Sequence, residues 1–94
     1  MKARYTPRAF ADRERIFDYL FQRSPNGARN VMTSIRETVA LLEEQPNSGY
    51  RIDSEIRVKF IVRYPYKIFY RVTHEAVEIL HIRHTARRPW HSNA

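Results

Sequence analysis

Apolar residues recur with a period near 3.6 before the segment PNSGY, residues 46–50, and with a period of two after it. A helix brings every third or fourth side chain to one face, whereas a strand alternates its faces, so the chain is constrained to put helices first and sheet second. Two helices are expected, over residues 7–24 and 26–45. In TPRAFADRERIFDYLFQR, Thr6 is a cap and Pro7 takes the first helical position, where its missing N–H is not needed. Phe10, Phe17, Leu20 and Phe21 form the predicted buried stripe, leaving Asp12, Arg15, Asp18 and Gln22 for the outer surface. The same start recurs at Ser24 and Pro25, followed by a stripe of Val31, Ile35, Val39 and Leu42 and a stop at Pro46. With so short a joint around 24–27, the helices fold back as an antiparallel hairpin.

IRVKFIVR, YKIFYRV and AVEILHIR read as three strands with short turns at Tyr64–Pro65 and Thr73–Glu75, and KARYT reads as a fourth at the start of the chain. The expected order is β-α-α-β-β-β: an α+β fold with the helical hairpin on one face of a mainly antiparallel sheet made by segments around 2–6, 56–63, 66–73 and 76–84. Alternation puts Val58, Phe60 and Val62 on one side of the first long strand, with Arg57, Lys59, Ile61 and Arg63 on the other. In the next strand Ile68, Tyr70 and Val72 oppose Lys67, Phe69 and Arg71, and the two basic sets are expected to share the uncovered face. In the last strand Val77, Ile79, His81 and Arg83 oppose Leu80, Ile82 and His84, which makes it apolar on both sides and central. The open face is therefore expected to carry cations around Phe69 and either Ile61 or Ile79, a surface of the kind that takes a partner.

Ninety-four residues support one domain, read here as 1–94 with 85–94 as a C-terminal tail. The chain has no cysteine, no apolar run long enough to span a membrane and no signal-peptide core at its start, so a soluble cytoplasmic protein is expected. Charge is distributed unevenly. Residues 1–55 hold nine Lys/Arg against eight Asp/Glu, and residues 56–94 hold eight against two, with all four histidines. That asymmetry favours an anionic partner, either nucleic acid or an acidic protein.

The segment HIRHTARRPW, residues 81–90, concentrates three arginines, two histidines and a tryptophan. It reads as a catalytic site for RNA, a docking surface, or a solvated tail. No metal is expected: His81 and His84 are three apart on a strand and point to opposite faces, and there is no thiolate to help. With only Gly27 and Gly49 the chain has no phosphate-cradling loop, so no cofactor is expected either. A metal-free ribonuclease is chemically possible, because RNA supplies its own 2′-hydroxyl nucleophile and needs only a base, cations and an acid. Lys59, Arg63, Lys67, Arg71 and Arg83 supply charge, and His81, His84 or His91 exchange protons near neutral pH. The same side chains equally suit the border of a protein interface.

Four stretches together resemble the ParE/RelE superfamily of type II toxin–antitoxin toxins, specifically its ParE-like plasmid-stabilisation branch. They are the Y-x-P-x-A opening at 5–9, the L-x-x-x-P-x-x-G turn at 42–49, P-Y-x-I-x-Y-R at 65–71, and the terminal ILHIRHTARRP run. The resemblance implies a small sheet packed by a helical hairpin, and a cognate antitoxin with an acidic segment that is disordered before binding. It also implies one of two targets: DNA gyrase for ParE-like toxins, or messenger RNA on the ribosome for RelE-like endoribonucleases. In the ribonuclease alternative the catalytic set is Lys59, Lys67, Arg71, Arg83 and His84, with Lys67 matching a family arginine and Lys59 a family lysine. Thr85 and Ala86 stand where such enzymes carry a His-Tyr pair, which favours the gyrase-inhibiting, non-enzymatic reading. A stand-alone nucleic-acid-binding module is the third possibility. Target docking is assigned to Arg83, Arg87, Arg88 and Trp90, with Pro89 restricting the backbone before the ring; the bland alternative folds Trp90 back on the helices. Antitoxin contacts are assigned to Ile61, Lys67, Phe69, Arg71 and Ile79.

Overall fold

The computed structural model describes residues 1–86; Arg87, Arg88, Pro89, Trp90 and His91 lie outside the described residues. The elements run β1 (Ala3–Tyr5), α1 (Pro7–Phe21), α2 (Pro25–Glu44), β2 (Tyr50–Arg51), β3 (Arg57–Phe60), β4 (Tyr66–Val72) and β5 (Val77–His84). They form one five-stranded sheet in the order β1-β5-β4-β3-β2, with the helices on one face. Only the β1–β5 pair is parallel. The α+β order therefore follows the sequence pattern, with a two-residue edge strand, β2, that the pattern did not mark. No helix among the described residues is long and apolar enough to cross a membrane.

Both helices start as their caps require: Thr6 is extended and its hydroxyl accepts from the Ala9 N–H at 3.2 Å, and Ser24 does the same for Gly27 at 3.0 Å. α1 ends at Phe21 rather than 24 because Ser24 is the extended cap of the next helix (φ −160°, ψ 101°) and cannot also be helical. α2 stops at Glu44 because Pro46 drives Gln45 out of the helical region (φ −131°, ψ 72°).

The α2 stripe is buried as expected, at Val31, Ile35, Val39 and Leu42. The α1 stripe is not. Its buried residues are Ala9 and Asp12, with Ile16 and Leu20 packed against the core, while Phe10 and Phe21 are 49% and 42% exposed. Ala9, Ile16 and Leu20 share the same i, i+7, i+11 spacing as Phe10, Phe17 and Phe21, one position round the helix. Periodicity alone does not choose between the two stripes, and the smaller Ala9, fully buried, lets the helix approach the sheet. Phe10 is instead covered in part by Arg13, whose guanidinium stands 5.4 Å from that ring and 4.8 Å from the Tyr5 ring.

Register decides the two faces of the sheet. Val58 pairs with Phe69 and Phe60 with Lys67, whereas Arg57 pairs with Tyr70 and Lys59 with Ile68. Directly paired residues share a side, so Arg57 and Lys59 stand on the helix side and Val58 and Phe60 on the open side with Lys67, Phe69 and Arg71. The expected union of two basic sets on one face does not form. β3 ends at Phe60 because residues 61–65 form the turn, with the Ile61 N–H bonded to the Tyr66 carbonyl at 2.9 Å and Arg63 in the left-handed region (φ 83°). Ile61 consequently drops into the core at 5% exposure.

β5 carries one extra residue. Phe69 pairs with His81 and Tyr70 with Ile79, leaving Leu80 without an opposite number. This bulge sets Val77, Ile79 and Ile82 on the core side and turns His81 the other way. Ile79, expected on the open face, is fully buried between sheet and helices.

Candidate functional site

β1 accompanies β5 only as far as Ile79, so the rest of β5 has a free edge. Thr6 closes the first part of that edge: its N–H and hydroxyl both donate to the Ile79 carbonyl, at 3.0 and 2.8 Å. α1 then crosses beside the remainder. Asp12, which sequence reasoning placed on the outer surface, is 4% exposed and accepts the Ile82 N–H at 3.0 Å. The same oxygen contacts His81 Nδ1, and the other oxygen accepts from Arg15 Nη2 at 2.7 Å. A carboxylate thus takes the place of a neighbouring strand at the unpaired N–H.

Arg8 Nη2 faces His81 Nε2 at 3.4 Å. A guanidinium only donates, so Nε2 is the acceptor there and the proton of the neutral ring sits on Nδ1, toward Asp12. Burial pushes the His81 pKa below its ordinary value; Arg8 and Arg83 act in the same sense, and Asp12 opposes them. Burial thus favours the neutral ring over the charged one.

Between α1 and this edge lies a groove of about 860 Å³, bordered by Arg8, Arg15, Tyr19, Tyr66, Arg83 and His84. Tyr66 is 7% exposed and meets the His84 ring edge-on at 5.4 Å. Burial, and then the neighbouring Tyr19, raise its pKa, so the hydroxyl keeps its proton and is a donor. His81 and His84 leave β5 on opposite sides, as expected, yet both border the groove because it opens along the strand's edge.

The open sheet face is a second surface. Lys67 and Arg83 are cross-strand partners, and the Lys67 ammonium lies 5.9 Å from the Phe60 ring centre and 5.6 Å from that of Phe69. Tyr50 stacks on Phe60 at 6.1 Å and 18°, and both rings are about half exposed. Phe69 faces this side but is only 3% exposed. Arg71 is already engaged: it holds Glu78 at 2.7 Å and approaches Glu55 at 3.8 Å, while Arg4 takes the other Glu78 oxygen at 2.9 Å. Those hydrogen bonds from Arg71 and Arg4 hold the Glu78 carboxyl below its usual range.

Of the five residues assigned to RNA cleavage, the structure brings Lys67 and Arg83 together on the open face. It places Lys59 and His84 on the helix side of their strands, and Arg71 in an ion pair farther along β4. Of the residues assigned to the antitoxin, Ile61 and Ile79 are in the core, Phe69 is nearly covered, Arg71 is paired and Lys67 is half-buried but accessible. Arg83 remains at the surface; Arg87, Arg88 and Trp90 are outside the described residues. Asp12, Tyr66, Arg8 and Arg15 were missed as a group. The available signal was Asp12 itself, a carboxylate three residues after Ala9 on the inward side of α1.

With this geometry, comparisons with known proteins point one way. The family described as ParE toxin of type II toxin-antitoxin system, parDE, matches residues 3–89. The chain is 36% identical over 83 residues to Toxin RelE2 of Caulobacter vibrioides, covering 88% of this chain and 93% of that one. It is also similar to a solved structure described as the chromosomal ParDE TA system from P. aeruginosa, with a TM-score of 0.78, 26% identity, and coverage of 89% of this chain and 95% of the other.

Proposed function

The chain belongs to the ParE toxin family of type II toxin–antitoxin systems, and from that premise we propose that it is a cytoplasmic inhibitor of DNA gyrase held inactive by a cognate antitoxin. The family match over residues 3–89 carries this reading. The separation of Lys59 and His84 from Lys67 and Arg83 supports it, because a base, an acid and phosphate-stabilising cations have to converge on one phosphodiester to cleave it. Target docking falls to Arg83 with Arg87, Arg88 and Trp90, supplemented by the Tyr50–Phe60–Lys67 cluster beside Arg83. Arginine and aromatic rings give the most contact for the least ordering on association.

One arrangement favours a second reading, the ribosome-dependent ribonuclease: Lys67 and Arg83 stand side by side next to exposed rings, as a phosphate and a base would require. Induction in cells separates the two. Gyrase inhibition predicts DNA breaks and an SOS response without message cleavage, and purified protein should block supercoiling by gyrase. Arg87→Ala with Arg88→Ala, and separately Trp90→Ala, should abolish that block while leaving the fold intact. Ribosome-associated message cleavage with unimpaired supercoiling would replace the first reading by the second.

A further inference from the structure

We propose that a hollow at the β2–β3 end of the sheet binds the phosphate backbone of duplex DNA, with Arg51 and Arg57 as the paired cations that receive it. The inference rests on the reading of this chain as a gyrase inhibitor, because gyrase works on a DNA duplex, and it gives the toxin a second foothold beside its protein target.

The first observation is a like-charged pair. Arg51 stands directly opposite Arg57 across β2 and β3, an arrangement that destabilises a sheet unless an anion lies between the two. The chain supplies none: neither arginine enters an ion pair among the described residues. The second observation is how the guanidinium groups are held. Arg51 donates to the Ser54 carbonyl at 3.2 Å, and the half-buried Arg57 donates to the carbonyls of Asn47 and Gly49 at 3.2 and 2.7 Å. Both Arg57 bonds use Nη1, so the group is fixed in place while Nε and Nη2 are left for a ligand. The third is the wall of the hollow. Arg51, Arg57 and Arg71 border about 560 Å³, together with Asn47 and Ser54. Arg71 is matched by Glu78 at 2.7 Å, and Glu55, 68% exposed, is the one carboxylate of the wall. Asp53 does not line it, and takes the Glu55 and Ile56 N–H groups of its own loop on one oxygen, at 2.8 and 2.9 Å.

A phosphate suits this hollow better than the carboxylates of a protein partner. Two adjacent guanidinium forks match the several oxygens of a phosphate. Val72 is the one aliphatic side chain in the wall, whereas a protein interface buries an apolar core and a DNA interface is polar, positive and wet. A single strand fits less well than a duplex. The exposed rings of Tyr50 and Phe60 stack on the other side of β2 and β3, so the hollow gives bases no platform. What remains is contact with the duplex backbone, which positions without reading sequence. The placement agrees. Arg71 in the wall and Lys67 beside Arg83 are four positions apart on β4, roughly 13 Å at the rise of a strand, so docking through Arg83 leaves the hollow open.

The test measures binding of the full-length chain to a short DNA duplex by fluorescence anisotropy over a range of salt. It compares wild type, Arg51→Gln, Arg51→Glu and, for the same change of charge on the exposed side of α2, Arg36→Glu. Arg51→Gln should weaken binding roughly 5- to 10-fold and make the slope of log affinity against log salt shallower by about one, whatever the duplex sequence. Arg51→Glu should weaken it more than about tenfold while the melting temperature of the free protein holds or rises, because a like-charged pair becomes an opposite one. Arg36→Glu should cost less than about threefold. Equal losses in Arg51→Glu and Arg36→Glu overturn the inference in favour of net charge alone. A lower melting temperature for Arg51→Glu also overturns it, because the arginine pair would then be structural. Inorganic phosphate that binds through Arg51 where duplex DNA does not makes this a site for free phosphate, against the duplex assignment. Affinity for gyrase or antitoxin lost in Arg51→Glu, with DNA binding intact, makes the hollow a protein contact instead. A wild type that blocks supercoiling but binds no DNA sinks this inference alone, whereas Arg51-dependent DNA binding without any block of supercoiling sinks the gyrase reading and leaves the site standing.

Discussion

Replacing Asp12 by alanine removes the acceptor for three donors: the Ile82 N–H, His81 Nδ1–H and Arg15 Nη2. They are not equivalent. Arg15 is 70% exposed and returns to water, so its share is near zero. Ile82 and His81 are buried, at 3% and 6% exposure, and the Ile82 N–H and His81 Nδ1–H lose this acceptor. At about 1–3 kcal/mol for each orphaned buried donor, the sum is about 2–6 kcal/mol, and water entering from the adjoining groove brings it toward the lower half, about 2–4 kcal/mol. For a domain of this size each kcal/mol moves the melting temperature by about 4–8 °C, so a fall of roughly 10–25 °C is expected. Urea denaturation at pH 7 measures the free energy, and amide exchange at Ile82 locates it. Asp12→Asn is a sharper test of the tautomer. Its amide keeps one acceptor oxygen; if the NH₂ faces Nδ1, His81 must move its proton to Nε2, against the Arg8 guanidinium, so a loss of about 1–3 kcal/mol is expected even in this near-isosteric change. Arg15→Ala should cost no more than about 1 kcal/mol. The reasoning is refuted if Asp12→Ala costs no more than Arg15→Ala and protection at Ile82 is unchanged.

Three further predictions concern pH and the turn that ends the helical half. The His81 pKa is lowered on folding, so the unfolded chain binds its proton first: stability is fully present above the unfolded value of about 6.5 and is lost as pH falls from there toward the folded value. Denaturation midpoints measured from pH 7.5 downward should show this decline, and His81→Gln should flatten it. Tyr70, fully buried, donates to the Pro46 carbonyl at 2.7 Å and accepts the Gly49 N–H at 2.9 Å, so Tyr70→Phe should cost about 1–3 kcal/mol in urea denaturation. Gly49→Ala should cost a similar amount, about 1–3 kcal/mol, because the added Cβ would lie 2.6 Å from the Tyr70 hydroxyl and 2.7 Å from the Val58 carbonyl oxygen.

The parts of the fold that local chemistry determines could be read directly from the chain. Thr6–Pro7 and Ser24–Pro25 start helices wherever they occur, and Pro46 stops one, because each acts through its immediate neighbours. The change of hydrophobic period at 46–49 likewise depends only on which residues follow one another. What remained hidden is relational. Alternation fixes which residues of β3 share a side, and likewise for β4, but not how the two strands are phased. Pairing settles it: Lys59 lies opposite Ile68 and Phe60 opposite Lys67, which sends Lys59 to the helix side while Lys67 faces outward. In α1, two stripes of equal spacing competed, and the winner was decided by the sheet beneath.

The site was hidden for the same reason, concentrated in one residue. ILHI is apolar at Ile79, Leu80 and Ile82, so simple alternation assigns Ile79 with His81 and Leu80 with Ile82. The extra residue at Leu80 breaks that assignment: Ile79 and Ile82 both reach the core, and His81 is turned toward α1. Because β1 is only three residues long, no strand accompanies β5 beyond the bulge, and the Ile82 N–H needs an acceptor. Asp12 supplies it, which is why an acid occupies the buried side of an otherwise apolar stripe. Its burial, its contact with His81 and the opening of the groove between α1 and β5 are thus linked consequences of a short first strand and a one-residue bulge. Local rules failed at Asp12 because it answers a requirement set by Ile82, 70 positions away in sequence, and at Leu80 because the bulge is a property of the β4–β5 pairing and not of β5 alone.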